Sequence, residues 1–177
     1  MKIITVLTNG FEEVEAIATI ALLKRSGIEV DIYALKDTKA SGKHNLVIAD
    51  IMKLENPDLS IYDGLLIPGG PHYVEMEASN KVKEIITYFM NENKMVASIC
   101  AAPTILGHMG YLKGKNYTCF TSMDEDFGGT YIDAYVAKDG NLITAKSAAA
   151  SIDFAFAIIH YLQGEEQEKK IKEQIYY

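Results

Sequence analysis

Apolar and polar positions alternate along the chain with two periods, and the period switches several times. Lys2–Leu7 ("KIITVL") is an almost continuous apolar, β-branched run closed by Asn9-Gly10. Such a run predicts a strand buried on both faces. From Glu12 to Ser26 the spacing becomes helical, with Val14, Ile17, Ala18, Ala21 and Leu22 on one stripe and Gly27 as the C-terminal stop. Ile28–Leu35 alternates again as a strand, and Gly64–Gly70 ("GLLIPGG") is a short apolar strand running into a glycine turn. Ser79 opens a helix carrying Val82, Ile85, Ile86, Phe89 and Met90 at helical spacing. Met95–Ile99 is the next buried strand, and Asp139-Gly140 between two apolar segments (Tyr131–Ala137, Asn141–Lys146) signals a hairpin. Ala149–Leu162 reads as an amphipathic helix stopped by Gly164, and the polar segment Glu165–Tyr177 as a last surface helix.

Strands that alternate with helices predict βαβ units, a mostly parallel sheet and helices on both faces, an α/β three-layer sandwich. In such sheets ligands sit at the carboxyl ends of the strands. Three turns fall on that edge: Asn9–Glu15, Gly69–His72 and Cys100–Pro103.

The chain of 177 residues suits one domain spanning 1–177, and no repeat or linker divides it. Formal charge is −7, and lysines cluster only near the end, at Lys169, Lys170 and Lys172, which argues against a nucleic-acid partner. No apolar run approaches the ~20 residues that cross a bilayer, so no membrane association is expected. The first residues lack the longer apolar region and cleavage site of a secretory signal. Two cysteines without CxxC spacing make neither a disulfide framework nor a zinc site, and a reducing, cytoplasmic setting is expected.

The candidate chemistry centres on "SICAAPTIL". A nucleophile elbow sets one residue in a strained strand-to-helix turn, with small residues two before and two after it. Ser98 and Ala102 stand at those places around Cys100. The start of the following helix would favour a Cys100 thiolate, and a backbone N–H such as that of Ala101 could form an oxyanion hole. Equally, cysteine is a common core residue, and that is the reading for Cys119. In "NGFEEVEA", Glu12 and Glu13 read as acids that compensate the helix dipole. Glu15 lies three residues before Ala18, on the edge of the stripe, where a carboxyl could point inward, be held protonated by desolvation and donate to Cys100.

"GFEEVEA", "LKRSGIEV", "LLIPGG", "SICAAPTIL" and "SIDFAFAII", in this order, resemble the ThiJ/PfpI superfamily in its Parkinson disease protein 7-like branch, over nearly the whole chain. The resemblance implies a flavodoxin-like sandwich, commonly a homodimer. It places a nucleophile on Cys100, a helix carboxylate on Glu15, and backbone donors on Gly70 and Ala101. It also places on Arg25 an arginine that approaches the neighbouring subunit's site. It implies an enzyme without cofactor or metal acting on a small carbonyl substrate, glyoxalase- or deglycase-like, with a redox-sensing protein oxidised at Cys100 as the alternative. Peptidase activity is disfavoured, because the protease-like branch has histidine directly after the nucleophile and Ala101 stands there. A branch histidine is also missing: "TCFT" puts Phe120 in its place. His72, after the glycine turn, is expected as a surface-loop residue that could substitute spatially.

Overall fold

The computed structural model describes residues 1–177. Seven strands form one sheet: β1 (Lys2–Leu7), β2 (Glu29–Ala34), β3 (Met52–Lys53), β4 (Gly64–Ile67), β5 (Met95–Ile99), β6 (Val136–Asp139) and β7 (Leu142–Ala145). Their spatial order is β6-β7-β5-β4-β1-β2-β3. Every pairing is parallel except β6–β7, the hairpin turned at Gly140, where Asp139 pairs with Leu142. The helices are α1 (Thr19–Arg25), α2 (Tyr73–Ala78), α3 (Asn80–Asn91), α4 (Pro103–His108), α5 (Ser151–Gln163) and α6 (Glu165–Gln174).

Two apolar clusters of 24 and 21 buried residues flank the sheet. Their near equality explains why β1, β4 and β5 read as continuous apolar runs: both faces of each strand are covered. One cluster takes Leu23 and Phe154 from α1 and α5, and the other takes Ile86 and Leu106 from α3 and α4. The three-layer α/β reading therefore holds, and so does the hairpin.

The first helix differs from its expected face. It opens as a π-helical turn (Val14–Ala18) before α1 begins. Val14 and Ile17 are 52% and 40% exposed, and Ala21 is exposed too, so of the expected stripe only Leu22 is buried. Ala16, Thr19, Ile20 and Leu23 face inward instead. They share the same i, i+3, i+4, i+7 spacing, so periodicity alone offers two faces. Contacts before the helix decide between them. Phe11 is fully buried and the Glu12 N–H donates to the Gly69 carbonyl at 2.8 Å, which sets the rotation of everything that follows.

A small two-stranded ladder, Ala40–Ser41 with Val47–Ile48, has no counterpart among the expected elements. Its tip folds over the start of the first helix: Gly10 N–H donates to Ser41 O at 2.7 Å and Lys43 N–H to Phe11 O at 2.9 Å.

Candidate active site

Strand order reverses between β1 and β4, because β1 is followed outward by β2 and β4 by β5. A doubly wound sheet opens a crevice at that point. The three turns singled out in the sequence meet there and line a cavity of about 540 Å³.

Cys100 follows β5 with φ of +66°, the left-handed region that a non-glycine residue occupies only under strain. The conformation is held from both sides: its N–H donates to Ala145 O at 2.9 Å, and its carbonyl accepts from Phe120 N–H at 2.7 Å. Ser98 and Ala102 are fully buried, and their small size lets the strand and helix pass. Cys100 itself is only partly buried and lines the cavity.

Glu15, 1% exposed, projects from the π-helical turn into the same place. Such turns carry one more residue per loop than the α-helix and recur at functional sites. Its Oε2 accepts from Gly69 N–H at 3.0 Å, and its carboxyl is hydrogen-bonded to the Cys100 thiol. Gly69 must be glycine here, since a Cβ would lie 2.6 Å from both the Cys100 Cβ and Glu15 Oε2. Burial pushes the Glu15 carboxyl up to about 7, opposed by the hydrogen bond from Cys100. Burial, and then the charge of Glu15, pushes the Cys100 thiol up to about 12, while the amides of Ala101 and Gly70 draw it down. The expected depressed cysteine is therefore corrected. The helix that follows is only six residues long, and its dipole does not offset desolvation beside a carboxylate. Through neutral pH the Cys100 thiol therefore keeps its proton while the Glu15 carboxyl titrates beside it.

Gly70 has φ of +102°, and a Cβ there would lie 2.4 Å from the Glu12 nitrogen and 2.6 Å from the Gly10 carbonyl oxygen. Gly70→Ala is expected to lower stability by at least about 2 kcal/mol, from the backbone strain alone, and to displace the amide aimed at Cys100. Thermal unfolding together with thiol reactivity checks this; an unchanged Tm would contradict it.

Two expected site residues stand elsewhere. His72 is no surface-loop residue: it is 2% exposed beneath the glycine turn. Its Nε2 lies 2.9 Å from Pro68 O and its Nδ1 accepts from Thr8 N–H at 3.3 Å, which together require the neutral Nε2–H form. Burial lowers its pKa accordingly. With both nitrogens occupied and no surface on the cavity, His72 does not replace a histidine at position 120; it ties β1 to the turn after β4. Arg25 is exposed in the last turn of α1, outside the cavity lining.

The enclosure around the pair involves further residues. Glu12 and Glu13, read as dipole-compensating surface acids, are 6% and 5% exposed. Glu12 lines the cavity and pairs with Lys43 Nζ at 2.5 Å. Lys43, from the tip of the small ladder, also lines the cavity, and its charge acts on both Cys100 and Glu15. "FEEVE" hints at Glu12, but nothing local marks Lys43, which arrives through a contact over thirty residues long. Phe120 and Met123 complete an apolar wall, and none of the residues lining the cavity is a histidine.

Residues 1–161 match the DJ-1/PfpI family. The chain belongs to that family. It is 35% identical over 172 residues to protein DJ-1 homolog B of Arabidopsis thaliana, covering 94% of this chain but only 39% of that longer protein. It is 31% identical over 149 residues to a deglycase of Thermococcus kodakarensis, covering 82% and 90% of the two chains. Among solved structures, a cysteine-to-alanine mutant of a DJ-1 superfamily protein from Salmonella typhimurium superposes with a TM-score of 0.93 at 30% identity, covering 99% and 98%. The flavodoxin-like sandwich of the DJ-1 proteins is thus the fold of this chain. At the level of the family, the named relatives are deglycases and DJ-1 homologues.

Proposed function

We propose that this protein converts small α-oxoaldehydes such as methylglyoxal to the corresponding 2-hydroxy acid, through a covalent adduct on Cys100 with Glu15 as the proton carrier. The observation that carries the reading is the Cys100–Glu15 pair itself, one thiol and one buried carboxyl side by side at the cavity against Gly69. A carboxyl raised to about 7 is matched to acid–base work near neutral pH.

The steps balance without a redox partner. Cys100 adds through sulfur to the aldehyde carbon as its proton passes to Glu15, and the new oxyanion is held by the Gly70 and Ala101 amides. Glu15 returns the proton to that oxygen, giving a hemithioacetal. Its carboxylate then removes the hydrogen on the former aldehyde carbon to give an enediolate, and the proton on the first oxygen passes to the former ketone oxygen. Glu15 returns its proton to the neighbouring carbon, converting the ketone to an alcohol and leaving a thioester on sulfur. Water cleaves the thioester, releasing the hydroxy acid and the thiol. With no histidine in the cavity, Glu15 carries every transfer to and from carbon.

The cavity, at about 540 Å³, is far larger than a three-carbon oxoaldehyde. It has room for an oxoaldehyde already attached to an amino-acid side chain, so deglycation uses the same residues. The decisive assay is lactate formation from methylglyoxal in buffer free of glutathione and containing a metal chelator. Wild-type protein yields lactate on this account; its failure to do so removes the reading.

A second reading rests on exposure: Cys100 opens to the cavity while Cys119 is fully buried. Under mild peroxide, Cys100 is expected to reach the sulfinic state well before Cys119. Peptide mass spectrometry showing equal rates would dismiss a sensor role.

The reading also includes a homodimer. Val14 and Ile17 are exposed on the first helix, and Leu46 and Val47, 56% and 58% exposed, stand on the ladder docked against it. A patch of this kind favours a protein partner, and a second copy supplies the only route by which Arg25 could approach a site. Sedimentation should give a dimer that Ile17→Glu converts to monomer; a wild-type monomer contradicts it.

A further inference from the structure

Near the catalytic pair, one buried carboxyl oxygen lacks a partner. Glu13 is 5% exposed. Its Oε1 accepts from the amides of His44 at 2.6 Å and Leu46 at 3.4 Å, but its Oε2 is buried with no hydrogen-bond partner. One of its two oxygens is thus held by backbone amides and the other is buried bare, an arrangement that calls for a cation.

The surroundings supply ligands. The carboxylates of Glu12 and Glu13 and the imidazole of His44 offer atoms that all lie within 4.8 Å of one another. Lys43 takes Glu12 Oε2 and leaves Glu13 Oε2 without a partner. The cluster is also built into the backbone: Gly42 passes so close that a Cβ would lie 2.3 Å from the Glu13 Cδ, and Gly42 N–H donates to Leu46 O at 2.8 Å. Glu13 cannot swing toward Gly42, while His44, on the exposed tip of the ladder, can rotate.

We infer that Glu12, Glu13 and His44 form a zinc site separate from Cys100, with the fourth position open to water. The donor set selects the ion. Calcium and magnesium require six or more mostly oxygen ligands, whereas two carboxylates and an imidazole match four-coordinate zinc. Ligand atoms at about 2.1 Å from zinc stand about 3.4 Å apart in a tetrahedron. Rotation of His44 closes the remaining distance. Because Glu12 also lines the catalytic cavity, a bound ion would fix that wall and the Lys43 paired to it.

Calorimetry with zinc chloride on chelator-treated protein tests the site, using Cys100→Ser so that the thiol cannot serve as the ligand. One equivalent of zinc is expected to bind, and His44→Ala and Glu13→Gln are each expected to weaken it by at least about 10–100-fold, the loss seen even for outer-shell changes. Glu13→Gln keeps an acceptor for the His44 and Leu46 amides, and circular dichroism verifies that the fold survives. Cobalt substitution should show a tetrahedral visible spectrum that His44→Ala abolishes. Absence of zinc uptake, or uptake indifferent to His44→Ala, overturns the assignment. Loss of self-association in Glu13→Gln with zinc binding intact also overturns it, by giving the bare oxygen to a cation of a second copy.

Discussion

Cys100→Ala is expected to abolish turnover of methylglyoxal while leaving the fold intact. The sulfur is the only group in the cavity that can form the carbon–sulfur bond on which each later step depends. Losing it removes the adduct rather than weakening a contact, so the residual rate should fall to that of the uncatalysed reaction. Alanine tolerates the +66° backbone no better than cysteine, so strain at the elbow remains. Removing the partly buried thiol frees Glu15 from its hydrogen bond, the one influence from the pair that lowers the carboxyl's pKa. The carboxyl should therefore titrate still higher in Cys100→Ala, measurable by carbon-13 NMR of labelled glutamate. Substantial lactate formation by this variant would mean the chemistry is located elsewhere.

Glu15→Gln separates catalysis from stability. Glutamine keeps the acceptor for Gly69 N–H but cannot take the thiol proton or carry hydrogen between carbons. A positioned acid–base group contributes typically 10²–10⁴-fold, and here one carboxyl performs successive transfers, so a loss toward about 10⁴-fold is expected. The pH profile should change with it. In wild type the carboxylate is the active base, so the rate falls as pH drops below about 7. That limb should vanish from what activity Glu15→Gln retains.

Stability should move the other way. The folded carboxyl titrates near 7 against an ordinary 4.5. Its raised pKa means that folding disfavours the charged form. The contribution is neutral below the ordinary value and becomes a penalty as pH rises from there through about 7. A tenfold weaker acid in the folded state costs about 1.4 kcal/mol once the group is ionised, so above pH 8 Glu15→Gln should be more stable by up to about 3 kcal/mol. The gain should disappear below about pH 4, where the carboxyl is protonated in both states. A variant both less active and less stable at pH 8 would show that Glu15 is a structural group.

The reach of sequence reasoning follows from physics at particular residues. β1, β4 and β5 are buried on both faces, and their apolar runs cannot be mistaken for solvated segments. Asp139-Gly140 marks the hairpin because few dipeptides accept its left-handed turn, and Gly140 has φ of +62°. The elbow is legible because Ser98 and Ala102 must be small for strand and helix to cross. The two-residue strands at Ala40–Ser41 and Val47–Ile48 escape, being too short to develop any period. With them go Lys43 and the enclosure of Glu12 and Glu13. The face of the first helix is ambiguous between two equally regular stripes until Phe11 and Gly69 anchor it. A histidine after Gly-Gly-Pro has the composition of a surface turn, and only the long-range contacts to Thr8 and Pro68 bury His72. The helix dipole that would lower the thiol can be read locally, whereas desolvation beside Glu15 depends on contacts far apart in sequence.

The most direct measurement is peptide mass spectrometry on wild-type protein acid-quenched within milliseconds of mixing with methylglyoxal. The account predicts a three-carbon adduct on Cys100 that forms and decays at least as fast as lactate appears, and that forms far more slowly in Glu15→Gln. Lactate appearing with Cys100 unmodified at every time point, or adducts confined to lysines, would contradict it.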